Sequence, residues 1–263
     1  MKKAFVTLMQ TADYLPGVLA LQKSLRCFGN NEDLVVMTIR SLQANVITTL
    51  KAAGCKIRFV EPLRNPQLKN TQHFDYYTKL RIFELVEFEK IIFLDADLLI
   101  CADIGPLFSL PNMSAVVAGG LIAENNWTNL NSGLMVIQPS LDLFETMNAA
   151  IDYLPSRDGT DQGFLQSFYP DWPQTMDLHL DHTFNVPVPY LDIYCSSFGF
   201  EFSYIEQVLI SSAAVLHYWG PTKPWQLSTN SDLPREMSRL VQAIELWWDF
   251  YAATPMEMND PLV

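Results

Sequence analysis

The sequence predicts an α/β fold built on a mostly parallel, doubly wound central sheet. Short apolar runs rich in β-branched residues alternate with amphipathic segments of about a dozen residues, the pattern of strands joined by crossover helices. The run Lys90–Leu94 has almost no polar interruption, as expected for a strand covered on both faces. With 263 residues and 49% hydrophobic side chains, the chain can bury one large core.

The predicted elements follow from these runs and from their punctuation by proline and glycine. Pro16 fits the first turn of a helix, and Gly29 and Gly54 fit helix ends. The predicted strands are residues 3–9, 34–39, 56–60, 90–94, 115–118, 134–138 and 213–218. The predicted helices are residues 16–28, 42–53, 76–86, 141–153, 162–168 and an amphipathic C-terminal helix at 233–251. Residues 62–72 are polar and contain proline, which predicts a loop.

Charge and cysteine usage limit the partners and the compartment. The net charge of −12 argues against binding to nucleic acid or to an anionic membrane surface. It does not exclude a phosphorylated small molecule, because a metal ion can supply positive charge. The four scattered cysteines include no Cys-x-x-Cys pair and indicate reduced thiols, so a cytoplasmic location is expected. No apolar stretch reaches the roughly 20 residues that span a bilayer, so no membrane anchor is expected.

The segment Asp95-Ala96-Asp97 directly follows the most apolar predicted strand. Ligands of open α/β sheets bind beyond the carboxyl ends of the strands, and aspartates are oxygen ligands for Mg²⁺ or Mn²⁺. A metal ion here would neutralise a diphosphate and help it to leave. The alternative is structural, since one Asp-x-Asp is expected about once by chance in such a chain and buried carboxylates also cap helices and loops.

Three further segments carry polar residues at element ends. Asn131-Ser132-Gly133 precedes an apolar run and is otherwise a plain turn. The stretch from Asp158 to Gly163 opens a helix, which Asp161 either caps or leaves free for chemistry. The segment from His217 to Trp225 follows a strand, and there an imidazole could complete a manganese site and a lysine could pair with phosphate. A lone histidine at a strand end is more often structural.

Two single residues have weaker signals. Tyr14 lies just past the first predicted strand and could stack on a nucleotide base, although core packing is the commoner role of a tyrosine. Lys79 lies on the predicted helix at 76–86 and by itself is typical of a solvated helix lysine.

Together these segments resemble glycogenin and its relatives, the eighth family of retaining glycosyltransferases. The resemblance extends from Ala4 to about Trp225. Its motifs occur in the order of the family: Ala4-Phe5-Val6-Thr7-Leu8 with Tyr14, Thr78-Lys79-Leu80, Asp95-Ala96-Asp97, Asn131-Ser132-Gly133, Asp161-Gln162-Gly163 and His217-x-x-Gly220-x-x-Lys223-Pro224-Trp225. Six motifs in the correct order are far more specific than any one of them.

The resemblance implies a Rossmann-like domain of the nucleotide-diphospho-sugar transferase type, a UDP-sugar donor and a retained anomeric configuration. It implies Mn²⁺ (or Mg²⁺) held by Asp95, Asp97 and His217. The other implied donor contacts are Leu8, Thr11, Tyr14 and Ala96 at the nucleoside, Lys79, Gly220 and Lys223 at the diphosphate, and Asn131, Ser132, Asp158, Asp161 and Gln162 around the transferred sugar. If a side chain takes part in a covalent route, Asp161 or Gln162 is the candidate; a same-face displacement assisted by the leaving phosphate is the alternative.

Three features depart from glycogenin, and one of them, the different length of the segment between Asp97 and Asn131, indicates that the acceptor side is not glycogenin-like. The arginine that the family carries upstream of Lys79 is absent, with Lys69 or Asn70 in its place, and residues 185–216 are longer than in glycogenin. Self-glucosylation at Tyr190 or Tyr194 therefore stays one alternative. Galactinol synthases, which pass galactose to myo-inositol, are also similar at Lys223-Pro224-Trp225 and at residues 247–251.

The expected enzyme moves a hexose, glucose or galactose, to a hydroxyl of a carbohydrate, a polyol or a protein. A nucleotide-sugar-binding protein without turnover is the alternative from another class. The expected organisation is a catalytic domain at residues 1–230 with a helical extension at 231–263, and the family suggests a homodimer.

Overall fold

The computed structural model describes residues 2–68, 75–122, 127–227 and 238–253. Its strands are β1 (Lys3–Leu8), β2 (Leu34–Thr38), β3 (Lys56–Phe59), β4 (Lys90–Leu94), β5 (Leu98–Ile100), β6 (Ser114–Val117), β7 (Leu130–Ile137), β8 (Val186–Pro187), β9 (Phe202–Ile205), β10 (Val208–Ser211) and β11 (Val215–His217). Its α-helices are α1 (Leu15–Cys27), α2 (Ala44–Ala52), α3 (Leu141–Ala150), α4 (Asp161–Phe168), α5 (Leu191–Phe198) and α6 (Arg239–Ala252).

The central sheet has six strands in the order β3-β2-β1-β4-β7-β6. The first four are parallel, which confirms the predicted mostly parallel α/β sheet. β4 is fully buried after its first residue, with apolar clusters on both faces of the sheet. The carboxyl end of this central strand is where Asp95 begins, so the fold places the aspartates at the edge where such sheets bind ligands.

The structure differs from the predicted elements at two places that matter to the site. β7 begins at Leu130, four residues before the predicted start, and is antiparallel to β4 and β6. Asn131, Ser132 and Gly133 are therefore strand residues, not a turn. The predicted helix at 76–86 is a 3₁₀ segment, Tyr76–Glu84, whose buried Tyr77, Leu80 and Phe83 repeat every three residues and face one core cluster.

A second, three-stranded sheet has the order β5-β11-β8. The chain leaves β4, passes through Asp95-Ala96-Asp97 and enters β5, so these aspartates join the two sheets. β11 runs antiparallel to β5 with His217 opposite Leu98, which brings the histidine beside Asp97. The sequence prediction did not include β5, β8, β9, β10 or α5, because each is short and lacks clear periodicity.

The C-terminal helix α6 packs on α1. Phe250 contacts Phe28 with ring centroids 6.1 Å apart, and Lys23 Nζ donates to the carbonyl of Ala253 at 2.8 Å. Trp247 is fully buried and packs this helix on the domain. Residues 233–237 of the predicted helix, and the boundary at 230, lie outside the described residues, so the division into domain and extension stays a prediction.

The described part of the chain contains no helix that is long and apolar enough to cross a membrane. Cys27, Cys55, Cys101 and Cys195 are free thiols, in line with the prediction that they form no disulfide framework.

Candidate active site

Lys79 is a buried cation held between two predicted site aspartates. Its Nζ lies 3.0 Å from Asp95 Oδ1 and 2.9 Å from Asp161 Oδ2. The same Nζ is 3.3 Å from Ser132 Oγ. Lys79 is therefore no solvated helix lysine, because the 3₁₀ segment turns it inward, where it links the aspartate after β4 to the start of α4.

Burial alone would lower the pKa of Lys79, but the carboxylates of Asp161 and Asp95 outweigh it and raise that pKa well above its ordinary value. Burial and the neighbouring Asp97 raise the pKa of the Asp95 carboxyl, and Lys79 opposes them. Lys79 therefore stays charged between these two carboxylates.

Asp97 faces the other sheet and has two nitrogen partners, one from a lysine and one from a histidine. Lys223 Nζ lies 2.5 Å from Asp97 Oδ2, and His217 Nε2 lies 3.4 Å from Asp97 Oδ1. Burial opposes the charged form of Asp97, but His217 and Lys223 beside it hold the pKa of this carboxyl below its usual range. Lys223 also donates to the carbonyl of Tyr218 at 3.0 Å, which keeps it beside the aspartate.

Asp95, Asp97 and His217 each offer one ligand atom, and these atoms lie within 4.8 Å of one another. Two carboxylate oxygens and one imidazole nitrogen at this spacing form a donor set that could hold a divalent cation. Gly133 leaves room for it: a Cβ on this residue would lie 2.8 Å from the His217 ring and 3.3 Å from Asp95 Oδ2. The glycine of β7 is thus required by the close packing around these side chains.

A chain of hydrogen bonds fixes the tautomer of His217. The backbone N–H of Gly133 donates to Asn131 Oδ1 at 2.8 Å, so this oxygen is an acceptor. Asn185 Nδ2 donates to the same oxygen at 2.8 Å, which turns Asn185 Oδ1 toward His217 Nδ1, also at 2.8 Å. Because a carbonyl oxygen only accepts, Nδ1 carries a proton, so in the neutral ring Nε2 on the side of Asp97 is the nitrogen left free to act as a ligand atom.

Asp158 and Asp161, both near the start of α4, have different hydrogen-bond partners in the structure. Thr160 is the N-cap, and its Oγ1 accepts from the N–H of Gln162 at 3.2 Å. Asp158 Oδ1 accepts from the N–H groups of Thr160 and Gly163 within its own loop. The possibility that Asp161 caps the helix is therefore wrong, because the cap is occupied and the Asp161 carboxylate accepts from Ser132 Oγ at 2.8 Å.

Gln162 turns toward β7. Its Oε1 accepts from the backbone N–H of Ser132 at 3.0 Å, so its amide is oriented with the NH₂ group pointing away from that strand. Asp161 is 6% exposed, whereas Gln162 is half-buried and lines a cavity beside the aspartates. Of these two predicted residues, only Gln162 reaches the open space of the site.

The predicted nucleoside side lies at the start of α1. Tyr14 contacts the Trp225 ring edge-on with centroids 5.6 Å apart, and burial together with Asp97 and Asp95 raises its pKa to about 12. A Cβ on Gly17 would meet the carbonyl oxygen of Ala96 at 2.3 Å, so only glycine allows α1 to approach the aspartate segment this closely.

Leu8, Thr11 and Gly220 are the remaining residues predicted to contact the UDP-sugar. Leu8 is the last residue of β1, Thr11 is exposed just after it, and Gly220 has a φ of +106° in the loop between His217 and Lys223. All of them belong to segments that end near the aspartates, but their contacts with a donor stay predictions.

A cavity of about 450 Å³ opens beside the aspartates. Its polar lining is Asp95, Asp97, Asn131, Gln162, Asn185 and His217, and its aromatic lining is Trp127, Tyr190, Tyr194 and Trp219. The sequence analysis missed Asn185 and Trp127, which lie outside every recognised motif, and Trp219, an unassigned position within the motif from His217 to Trp225. Only their position around the cavity identifies them.

Comparison with known proteins agrees with this geometry. Residues 5–132 match the family model described as Glycosyl transferase family 8. UDP-glucuronate:xylan alpha-glucuronosyltransferase 1 of Arabidopsis thaliana is 32% identical over 269 residues, which are 98% of this chain and 38% of that protein. Galactinol synthase 3 of the same species is 25% identical over 286 residues, which are 95% of this chain and 81% of that protein.

Among solved structures, an active-site mutant of LgtC superposes with a TM-score of 0.61 at 17% identity, covering 98% of this chain and all of that one. This likeness shows the fold. The chain spans about two fifths of the length of the glucuronosyltransferases that it matches.

The sheet order, the aspartates after its central strand and these comparisons define a domain of the glycosyltransferase class of enzymes. Within that class, the chain carries a glycosyl transferase family 8 domain, which confirms the family that the ordered motifs predicted.

Proposed function

We propose that this protein transfers a sugar from a UDP-sugar donor to an acceptor hydroxyl, with a divalent cation at Asp95, Asp97 and His217. The observation that carries the proposal is the donor set itself, three ligand atoms within 4.8 Å of one another at the carboxyl end of the central strand. Family membership supplies the reaction class.

The residues present fit a metal ion. With Nδ1 protonated toward Asn185, His217 Nε2 and Asp97 Oδ1 are two acceptors that face each other at 3.4 Å. Such a pair is unfavourable unless a proton or a cation lies with it. A donor set of two carboxylates and one imidazole suits Mn²⁺, while Mg²⁺ prefers oxygen ligands alone. The cation would neutralise charge on the departing UDP.

The chain's own residues would hold the rest of the donor. We assign the nucleoside to Leu8, Thr11, Tyr14 and the backbone of Ala96, and the diphosphate to Lys79, Gly220 and Lys223. Both lysines are paired with site aspartates. When a cation takes over the neutralisation of these carboxylates, the lysine charges become available to the phosphates.

Around the transferred sugar we assign Asn131, Ser132, Asp158, Asp161 and Gln162. The Asp161 carboxylate is held by Lys79 and Ser132, which neutralise and bury it, so it suits positioning better than nucleophilic attack. This arrangement supports a same-face displacement, in which the leaving phosphate assists the attack of the acceptor hydroxyl and Gln162 contacts the sugar.

A neutral hexose, glucose or galactose, is the proposed donor sugar, and a hexuronate is the second candidate. The similarity to a glucuronosyltransferase at 32% identity favours the uronate. Against it, no lysine or arginine lines the described part of the cavity wall to pair with a C6 carboxylate.

The donor is tested by UDP release from UDP-glucose, UDP-galactose and UDP-glucuronate, with Mn²⁺ and with chelator. We expect one donor to give release at least about tenfold above the chelated reaction, since the cation stabilises the leaving group. Full activity in chelator would contradict the metal assignment. Donor binding without hydrolysis or transfer, with acceptors that include myo-inositol, would favour a non-catalytic binding protein.

Of the two tyrosines considered for self-glycosylation, the structure favours Tyr190 over Tyr194. Tyr194 also lines the cavity, but its side chain is fully buried and its hydroxyl accepts from the N–H of Leu121 at 3.2 Å, so it is a poorer acceptor than Tyr190. Tyr190 is half-buried and lines the cavity. Measurement of the intact protein mass after incubation with the UDP-sugar that gives the highest UDP release tests this route, and an unchanged mass excludes it.

A homodimer and a cytoplasmic location also stay predictions.

Asn185→Ala is expected to weaken Mn²⁺ binding by about 10- to 100-fold, because the His217 tautomer is no longer fixed. The measurements are Mn²⁺ titration by electron paramagnetic resonance and ¹H–¹⁵N spectra of the imidazoles, of which the chain has only four. Wild type should show His217 protonated at Nδ1, and the variant a mixture of tautomers.

The matched control is Asn45→Ala, the same change at an exposed asparagine of α2. This variant should leave the Mn²⁺ affinity and the His217 tautomer unchanged. Equal Mn²⁺ affinity in Asn185→Ala and wild type, with His217 protonated at Nδ1 in both, would show that Asn185 does not position the histidine.

A further inference from the structure

We propose that the cavity wall formed by Trp127, Tyr190 and Trp219 is the acceptor subsite, and that it takes the uncharged sugar rings of an oligosaccharide. This inference rests on the proposed function and adds to it the chemical class of the acceptor.

The cavity is placed where an acceptor must bind. Its floor includes Asp95, Asp97 and His217, and Gln162 and Asn131 also line it. The predicted nucleoside residues Leu8, Thr11 and Tyr14 do not line it. A ring in this cavity would therefore reach the sugar end of the donor and not its base end, as attack on the anomeric carbon requires.

The wall offers aromatic faces that the core does not use. Trp127 and Trp219 are 38% and 44% exposed, although large aromatic side chains usually gain most of their stabilisation from burial. They come from separate segments, one preceding β7 and the other two residues after His217. Flat apolar faces with polar groups near them suit a pyranose ring, which has an apolar CH face and hydroxyls at its rim.

Both indoles are oriented by their neighbours. Trp127 Nε1 donates to Gln166 Oε1 at 2.9 Å, and Gln166 Nε2 donates to the carbonyl of Leu130 at 2.7 Å. Trp219 packs against Tyr190 with ring centroids 5.8 Å apart. These contacts hold the exposed rings in place before a ligand arrives, which lowers the entropic cost of binding.

The charges around the cavity select a neutral ligand. Its charged lining in the described chain consists of Asp95 and Asp97, with His217 beside them. The nearby cations Lys79 and Lys223 are buried and paired with these aspartates and with Asp161. An acceptor carrying phosphate or carboxylate would find no free cation on this wall and would face carboxylates at its floor.

The size and the exposure favour an oligosaccharide over a small polyol. A volume of about 450 Å³ lies within the range of about 300–1,000 Å³ that small-molecule sites occupy. The half-exposed tryptophans extend the contact surface toward solvent, where only a longer ligand would cover them.

The test measures ligand binding by calorimetry in the presence of Mn²⁺ and UDP. The probes are xylohexaose, cellohexaose and maltohexaose as neutral glycans, with myo-inositol and glucose 6-phosphate as the small polyol and the charged sugar. We expect at least one hexasaccharide to bind, and Trp219→Ala and Trp127→Ala each to raise its Kd about tenfold. Trp219→Phe should retain most of the affinity, because the ring face remains.

Tyr153→Ala is the matched control, since this aromatic residue is 73% exposed and does not line the cavity. It should bind the hexasaccharide like wild type. The inference is overturned if no hexasaccharide binds while UDP does, if glucose 6-phosphate or myo-inositol binds more tightly, or if neither tryptophan variant changes the Kd. Failure of UDP itself to bind with Mn²⁺ would instead contradict the proposed function.

Discussion

Asp97→Asn is expected to lower metal-dependent sugar transfer by about a thousandfold, because it removes a charged ligand from the proposed cation site. The amide also leaves Lys223, which is 7% exposed, without its carboxylate partner at 2.5 Å. An unpaired buried cation costs about 3 kcal/mol of the free energy of unfolding, so the variant should also melt at a lower temperature. UDP release, Mn²⁺ titration and thermal unfolding measure the three effects.

A second substitution separates the loss of metal from the loss of stability. Adding Lys223→Met to Asp97→Asn removes the unpaired cation, so the melting temperature should recover while Mn²⁺ binding stays lost. Asp152→Asn, the same change at an exposed aspartate outside the cluster, should match wild type in all three measurements. Wild-type Mn²⁺ affinity in the single variant would remove Asp97 from the proposed ligand set.

Lys79→Met is expected to have the largest effect on stability together with a loss of transfer of about a hundredfold. It leaves the carboxylates of Asp95 and Asp161 close together in a buried site without the cation that now lies about 3 Å from each. Breaking such a buried network costs about 3–5 kcal/mol, which lowers the melting temperature by roughly 5–15 °C in a chain of this size.

Mn²⁺ binding distinguishes this variant from Asp97→Asn. The three proposed ligands remain in Lys79→Met, so its Mn²⁺ affinity should stay within a few-fold of wild type while transfer falls. The control is Lys90→Met, at the start of β4, where Nζ donates only to the carbonyl of Leu110 at 2.9 Å in the described structure. If Lys79→Met transfers sugar at the wild-type rate, Lys79 has no role with the donor phosphates.

The sequence by itself determined the sheet and the position of its ligand edge. The apolar run of β4 and the alternation of strands and helices are local patterns. They predict the parallel part of the sheet, strands β3, β2, β1 and β4. The motifs also kept their order along the chain, which identified the family before any geometry was known. Local periodicity could not reveal that β7 is antiparallel, because strand direction is set by the path of the chain between strands.

The candidate site likewise has features that the sequence predicted and features that only the structure reveals. The family resemblance implied Asp95, Asp97 and His217 as a ligand set, and the structure brings their ligand atoms within 4.8 Å of one another. Lys79 looked like a surface lysine, and only the 3₁₀ turn places it between two carboxylates. The distinction between Asp158 and Asp161 likewise depends on which of them α4 turns toward β7.

Tertiary structure alone decided what surrounds the cation site. Asn185 is 32 residues from His217 in sequence, yet β8 and β11 are neighbours, and this pairing lets one amide set the histidine tautomer. Trp127 and Trp219 come together around one cavity from segments that share no motif. Such contacts join residues far apart in the chain, and no pattern within a short window of sequence records them. The motifs of the sequence therefore led to the proposed donor chemistry, and only the folded chain revealed the cavity proposed for the acceptor.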